Sequence, residues 1–462
     1  MFKFSVKHVH FIGIGGIGIS GLAYLFKKEG YYVTGSDIRE SETTKFLERE
    51  GIKVFIGHKK ENVEGADVVI HTSAVKRSNP EIVAALERGI PVIPRCDALS
   101  ELMRFREGIA VAGTHGKTTT SSMISKIFYD AGVEPTILVG GKLDFLGFTN
   151  AYYGKSRVMI AETDESDGTF LKVLPSVSVV TNIDADHLDF YKNIETIKHS
   201  FAEFANRVSF YGKVFLCGEC ENVREILPFI YKRKIVYGFS KEFDLCACNV
   251  KQEGLSVEFE VLFKGRLEGK IHLPIPGKHN VLNALAAVGV SLEAGISFNE
   301  IAESLSTFKN AKRRAEIKGE EAGVVVIDDY GHHPTEIENT YKGIKDAYPD
   351  RDILVLFQPH RYTRTKLLWN EFADVLSRID NLFLVDIYPA GEMPIESVSA
   401  EKLARFCGGT YVGSVDEAVF HILPLLKSNT VLLTLGAGDV YLAGEKILKH
   451  LKEKKILEGS SR

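Results

Sequence analysis

Gly113-Thr114-His115-Gly116-Lys117-Thr118-Thr119 carries the most direct chemistry in this sequence. It follows an apolar run ending at Ala112 and precedes a helical pattern over 122–131. In that setting backbone N–H groups cradle phosphates, Lys117 reaches the β- and γ-phosphates, and the Thr118 hydroxyl meets Mg2+. One glycine of the usual loop is replaced, by Val111. Two acidic runs follow at the ends of apolar segments: Glu162-Thr163-Asp164-Glu165-Ser166-Asp167, then Thr181-Asn182-Ile183-Asp184-Ala185-Asp186-His187. Carboxylates and an imidazole at strand ends beside a phosphate loop can hold hard cations. Any one of these acids alone reads as a solvated loop residue; two clusters at successive strand ends point to metal and phosphate chemistry.

Later, Asp328-Asp329-Tyr330-Gly331-His332-His333-Pro334 again follows a strand, and the next strand runs into Gln358-Pro359-His360-Arg361-Tyr362-Thr363-Arg364. Arginine forks match carboxylates and phosphates. Histidines titrating near neutrality can take a proton from an amine, although His332 and His333 read equally as turn caps before Pro334. Near the N-terminus, Gly13-Ile14-Gly15-Gly16-Ile17-Gly18 lies between a strand and a helix, with Asp37 at the end of the next strand. Such a loop lets a diphosphate approach a helix N-terminus, and the acid reaches a ribose hydroxyl. By itself it reads as an NAD site, and it supports a diphosphate more firmly than a nicotinamide. Cys217, Cys220, Cys246 and Cys248 offer a zinc reading beside a plainer one, in which Cys246 and Cys248 share a strand face and Cys217 closes another strand.

These loops need strands and helices to hold them. Strand signals at 6–14, 31–36 and 68–72 alternate with helical ones at 17–28 and 43–50, the pattern of parallel βαβ units. The pattern restarts near Arg95, with strands at 108–112, 158–162 and 177–181. From 214 to 273 come short strands, and Pro274, Pro276 and Gly277 break the chain before a helix at 280–290. A third α/β stretch begins near Arg313, with strands at 324–328, 353–357, 382–386 and 430–435; the Lys-rich tail is expected to fray. The 462 residues, 45% apolar and 26% charged, suit three α/β domains. With 57 Lys plus Arg against 61 Asp plus Glu, no basic stripe suggests a nucleic-acid partner. No stretch approaches the roughly 18 apolar residues of a membrane span. Lys3 and Lys7 before an apolar run imitate a signal peptide, but the interior glycines argue against one, and sparse cysteines fit a cytoplasmic protein.

Taken together, residues 113–119, the Thr181-Asn182 to Asp186-His187 element, Gly277-Lys278-His279-Asn280 through Asn283, and residues 329–334 resemble the Mur ligase family. The likeness runs from about His10 to Gly438. Three further stretches, 13–18, 164–167 and 357–365, resemble its L-alanine-adding members. The resemblance implies a Rossmann-like UDP-sugar domain (1–97), a central P-loop ATPase domain (98–310) and a C-terminal Rossmann-like domain (311–462). ATP would phosphorylate the carboxylate of UDP-N-acetylmuramate, and L-alanine would attack the acyl phosphate, releasing ADP and phosphate.

Carried over by motif, Gly15, Gly16, Gly18, Asp37 and Ser73 would meet the UDP-sugar. Gly113, Thr114, His115, Gly116, Lys117, Thr118 and Thr119 would hold ATP, with Asn283 at adenine and His279 nearby. Thr118 and Glu162 would hold a first Mg2+ and His187 a second. Arg314 and Asp329 would close over ATP, while Tyr330, His332, Arg361 and Arg364 would face alanine and the acyl phosphate. Lys117, His187, His332, Arg361 and Arg364 are thus the expected catalytic set. A monomer or weak dimer is expected. Two departures stand out: Arg95-Cys96-Asp97 in place of Arg-Ala-Glu, and a Lys198 whose spacing does not suit the carbamylated lysine of several relatives.

Three rivals remain at this stage. A murein-peptide ligase would share the family but take another acceptor. A nucleotide-sensing regulator would bind without turnover and leave 330–334 and Arg361/Arg364 unexplained. An NAD oxidoreductase would leave the P-loop idle.

Overall fold

The structure is a computed structural model that describes residues 6–459 apart from Ser73, Phe148 and Asp167. The expected fraying of Ser460–Arg462 therefore lies outside the described residues. The chain divides into two compact units, residues 1–248, 260–271 and 282–309, and residues 249–259, 272–281 and 310–462.

The first unit opens with a five-stranded parallel sheet in the order Lys53–Ile56, Tyr32–Asp37, His8–Ile12, Val68–His71, Val92–Pro94. The order in which successive strands are added reverses beside His8–Ile12, and the glycine loop leaves from that switch point, where open α/β sheets bind ligands. The loop is anchored from below. The Ser36 carbonyl accepts the N–H groups of Gly13 (2.8 Å) and Ile14 (2.9 Å). The Ser36 hydroxyl donates to Glu81 (2.6 Å), a fully buried carboxylate also bonded by Asn62 and His58. Burying that charge is tolerable only because several polar partners surround it.

The second sheet contains, in spatial order, Lys234–Gly238, Lys213–Cys217, Val177–Val180, Glu107–Ala112, Val158–Glu162, Thr136–Leu143 and Thr149–Tyr152. Three consecutive strands, Leu245–Glu253, Ser256–Phe263 and Arg266–Leu273, belong to the same sheet. One continuous apolar core runs from the first sheet into the second, taking in Val9, Leu22, Ala110, Leu138 and Phe201. The helix Ile17–Lys28 is tied to the second sheet by Asn150, which donates to the Ile17 carbonyl at 2.7 Å.

In the second unit six strands run in the order Glu316–Glu321, Val324–Asp329, Thr430–Leu435, Asp352–Phe357, Asn381–Leu384, Thr410–Tyr411. The first pair is antiparallel and the others are parallel. Apolar clusters cover both faces, as the continuous apolar runs of these strands require.

The structure adds elements that periodicity did not reveal. Lys53–Ile56 and Glu316–Glu321 are partly exposed edge strands too polar to read as buried runs. The helix after the phosphate loop starts at Lys117, not 122, because Thr118 to Ser122 are small polar residues packed inside; Ser121 and Ser122 return their hydroxyls to the Thr118 carbonyl. Among the described residues no helix is long and apolar enough to cross a membrane.

Candidate functional site

In the first unit, three strand-end loops close on one another. The Glu107–Ala112 strand delivers Gly113–Gly116, with Gly113 at φ 142° and Gly116 at φ 79°, left-handed values that favour glycine. A Cβ on Gly113 would overlap the Thr181 hydroxyl, and one on Gly116 would stand 2.5 Å from Asn283 Oδ1. The loop is stitched to the next strand end: His115 N–H donates to Asn182 Oδ1 (2.8 Å), while Thr181 Oγ1 (2.5 Å) and Asn182 Nδ2 (2.9 Å) donate to the His115 carbonyl. Asp184 N–H donates to Thr114 Oγ1 (2.9 Å), and His115 Nε2 faces Asp184 Oδ2 at 3.3 Å. Asn283 accepts from the Thr120 hydroxyl at 3.1 Å, so this residue meets the helix that the loop begins.

Lys117 Nζ bonds to the Gly113 and Thr114 carbonyls (2.5 and 3.1 Å) and to Glu165 Oε1 (2.8 Å). Burial pushes the Glu165 carboxyl up to about 7 despite Lys117, and the carboxylates Glu165 and Glu162 hold Lys117 above its ordinary value against burial. Glu162 Oε2 accepts the Gly140 N–H at 2.8 Å. His187 stands at φ 53° before the short helix Leu188–Tyr191, with Nε2 3.5 Å from Asp186. At the first sheet, Asp37 Oδ2 accepts the Gly15 N–H at 2.8 Å. Ser73 lies outside the described residues. Cys217 closes its strand, and the Cys246 and Cys248 sulfurs lie 3.8 Å apart, as the plainer cysteine reading expects. Lys198 is ion-paired to Glu195 (2.9 Å) and Glu225 (2.5 Å).

The second unit gathers its own set at the end of Val324–Asp329. Asp329 accepts the Ala315 and Gly331 N–H groups, both at 2.7 Å; burial raises its carboxyl to about 6, with Arg314 working the other way. Arg314 lies over the Tyr330 ring (5.5 Å) and 3.9 Å from Glu336. Burial, then Arg314, lowers His279 to about 4, so its imidazole is neutral at pH 7. His332 Nδ1 meets the Tyr330 carbonyl at 3.1 Å, and its ring stands 5.6 Å from His360. Arg364 Nη1 reaches His360 Nδ1 at 3.2 Å, whereas Arg361 has φ 67° and donates its backbone N–H to the Tyr388 carbonyl. The capping alternative holds for His333, whose Nδ1 accepts the Thr335 N–H at 3.4 Å.

Family models match three consecutive segments: Mur ligase family, catalytic domain at 8–107; Mur ligase middle domain at 111–291; and Mur ligase, glutamate ligase domain at 313–438. The chain belongs to the Mur ligase family. Proteins named UDP-N-acetylmuramate–L-alanine ligase are similar to this ligase over nearly their full length. That of Geotalea daltonii is 48% identical over 97% of this chain and 99% of its own, and that of Aquifex aeolicus 47% over 98% and 100%. Among solved structures, the UDP-N-acetylmuramate-alanine ligase of Thermotoga maritima matches with a TM-score of 0.82, at 29% identity over 97% of this chain and 99% of that one. A murein peptide ligase from Psychrobacter arcticus matches with 0.74, at 25% identity over 96% and 98%.

Membership fits the three-domain α/β architecture expected from the sequence. Some site residues of this ligase were not singled out there. Glu165, the carboxylate that pairs Lys117, sits in a run of acids where nothing in the pattern separates it from its neighbours. Arg313 bonds Asp328 (2.8 Å) and the Gly436 and Gly438 carbonyls, and only its position beside Arg314 hinted at a role.

Proposed function

We propose that this enzyme is an ATP-dependent ligase joining L-alanine to the carboxylate of UDP-N-acetylmuramate in peptidoglycan precursor synthesis. The observation that carries the reading is similarity across almost the whole chain to ligases of that name, at 47–48% identity. The domain boundaries proposed are 1–97, 98–310 and 311–462.

In the proposed reaction a carboxylate oxygen takes the γ-phosphoryl group of ATP and ADP leaves. The alanine ammonium first gives up a proton, the free amine attacks the acyl carbon, the C–O bond to phosphate breaks, and the nitrogen loses a second proton as the amide forms. Gly113–Thr119 cradles the phosphates, and Lys117 exchanges Glu165 for a phosphate oxygen, offsetting the repulsion between carboxylate and triphosphate. Asn283 and His279 take the adenine end. Gly15, Gly16, Gly18, Asp37 and Ser73 take the UDP-sugar. Arg314, Asp329, Tyr330, Arg361 and Arg364 serve nucleotide and acyl phosphate. With Nδ1–H held by the Tyr330 carbonyl, His332 presents Nε2 as the basic nitrogen for the amine proton. The Thr118 hydroxyl and Glu162 carboxylate are hard oxygen donors suited to Mg2+, with His187 proposed for a second ion. Bound at these residues, Mg2+ would supply positive charge to offset the phosphates. A cytoplasmic monomer or weak dimer, with no nucleic-acid or membrane partner, completes the proposal.

The test is phosphate release from ATP and Mg2+ with UDP-N-acetylmuramate, with and without L-alanine, followed by the product mass. Release that needs both substrates, with a product heavier by one alanyl residue, is expected. Release with a peptide in place of L-alanine would overturn the acceptor, and ATP binding without release would overturn the reaction.

A further inference from the structure

The glycine loop and the first turn after it, residues 13–21, contain no charged side chain. A diphosphate there would meet only the partial positive charge of a helix N-terminus, about half an elementary charge. It would also meet Asp37, whose carboxylate already occupies the Gly15 N–H. A cation there would add to that attraction and offset Asp37, and one is laid against that turn. Arg95 opens the helix Arg95–Arg104 directly after Val92–Pro94, so the parallel sheet brings it to the same edge as the loop. A Cβ on Gly18 would overlap Arg95 Nη1; the helix is bare at this position and the guanidinium fills the space. The other side of the fork leads away from the sheet. Nη2 donates to Asp164 Oδ2 at 2.5 Å, and the next residue, Glu165, holds Lys117. Burial works to raise the Asp164 carboxyl, but Arg95 and the Ser166 hydrogen bonds outweigh it and leave it below the ordinary range. The Arg95 side chain is 31% exposed, so ligand can reach it.

We propose that Arg95 is a two-sided residue of the nucleotide-sugar site: its Nη1 edge takes a diphosphate oxygen at Gly18, and its bond to Asp164 passes that occupancy to the acidic loop that holds Lys117. The proposal rests on the glycine loop being the UDP cradle. Because coupling between two sites is reciprocal, each nucleotide then tightens the other.

The experiment is calorimetry on the full chain with UDP and a non-hydrolysable ATP analogue, each titrated with and without the other. The unmodified chain is expected to bind UDP and to bind the analogue at least ~5-fold tighter when UDP is saturating. Arg95→Ala should weaken UDP at least ~10-fold, the scale of a lost charge-assisted hydrogen bond, and abolish the coupling. Asp164→Asn should keep UDP affinity within about twofold and lose the coupling, a split that general destabilisation would not produce. Arg95→Lys keeps the charge without the fork; it should recover part of the UDP affinity and none of the coupling, and it replaces the alanine variant if that fails to fold. Unchanged UDP affinity in Arg95→Ala, or unchanged coupling in Asp164→Asn, overturns the proposal. An unmodified chain that binds the ATP analogue but not UDP instead overturns the underlying reading of the glycine loop.

Discussion

Replacing Lys117 by alanine should do two separable things. The Glu165 carboxylate is buried, with a side chain only 4% exposed, and Lys117 Nζ at 2.8 Å is its counter-charge. Even so paired, its carboxyl is pushed from 4.5 to about 7. A carboxyl raised on folding binds its proton more tightly in the native chain, so stability falls as pH rises across that window and levels off above it. Removing Lys117 removes the influence that holds the value down. A neighbouring opposite charge lowers a carboxyl by roughly 1–3 pH units, so in Lys117→Ala it should titrate higher by about that amount. At about 1.4 kcal/mol per unit, the variant loses up to about 3 kcal/mol more than the unmodified chain between pH 7 and 9. Thermal or urea unfolding at pH 6 and 9 reads this as a widening gap, and adding Glu165→Gln, which cannot ionise, should flatten it. Phosphate release should fall by about 10²-fold or more in Lys117→Ala and stay low in the double variant, since the cation that offsets the phosphates is still missing. An equal gap at both pH values, or turnover restored by Glu165→Gln, would refute the account of this pair.

Gly116→Ala must adopt φ 79° and place a Cβ 2.5 Å from Asn283 Oδ1, costing about 1 kcal/mol in backbone strain and about 1 more if the Thr120–Asn283 bond is lost. Calorimetry should show at least ~10-fold weaker binding of an ATP analogue, and unchanged affinity would remove this loop from the nucleotide site. His187→Ala should slow phosphate release and recover in part as Mg2+ is raised; a deficit insensitive to Mg2+ would end its assignment as a metal ligand. Asp329→Asn offers one acceptor oxygen where two N–H groups need one each, and should cost about 1–3 kcal/mol. Because the native carboxyl is raised to about 6, the unmodified chain loses stability as pH rises from 4 to 7 and the non-titrating variant does not. The deficit measured by urea unfolding should therefore shrink over that range, and a growing deficit would contradict the burial argument.

The sequence made legible whatever depended on continuous apolar strands and on glycines in fixed places. Val158–Glu162 and Thr430–Leu435 run where their apolar residues say, and the helix Ile17–Lys28 begins where the glycine loop ends. What stayed hidden had a different cause in each case. Glu316–Glu321 lies at a sheet edge, where none of its residues is buried and no buried run forms. The pairing of Lys117 with Glu165, 48 positions apart, depends on two strand ends meeting, which spacing along one chain does not encode. Asn283, 163 positions from its partner Thr120, is a sharper instance. It is proposed for adenine, and the fold shows it also closing on Gly116, so that one residue constrains both the loop and the helix after it.

Backbone strain adds a layer that residue types alone do not display. His187, Arg313, Ala315 and Arg361 all hold left-handed φ between 49° and 67°, at a cost of roughly 1–2 kcal/mol each for residues with a Cβ. Each is over-determined by bonds. Arg313 is gripped by Asp328, Gly436 and Gly438 while its guanidinium lies 5.2 Å over Tyr330 and 4.6 Å over Tyr441. Ala315 N–H is fixed by Asp329, and the Arg361 carbonyl accepts from the Thr365 hydroxyl while its N–H donates to Tyr388. The His187 carbonyl accepts from Phe190 and Tyr191, so a helix begins at once after the turn. Glycine would take these conformations without strain, but it would delete two arginines and an imidazole from loops beside the proposed site. At His187, Arg313 and Arg361 the chain keeps a costly conformation together with a polar side chain, and the surrounding hydrogen bonds offset the cost. At His187 and Arg361, both proposed for the site, strain of this kind is expected where a particular side chain is needed at a particular turn.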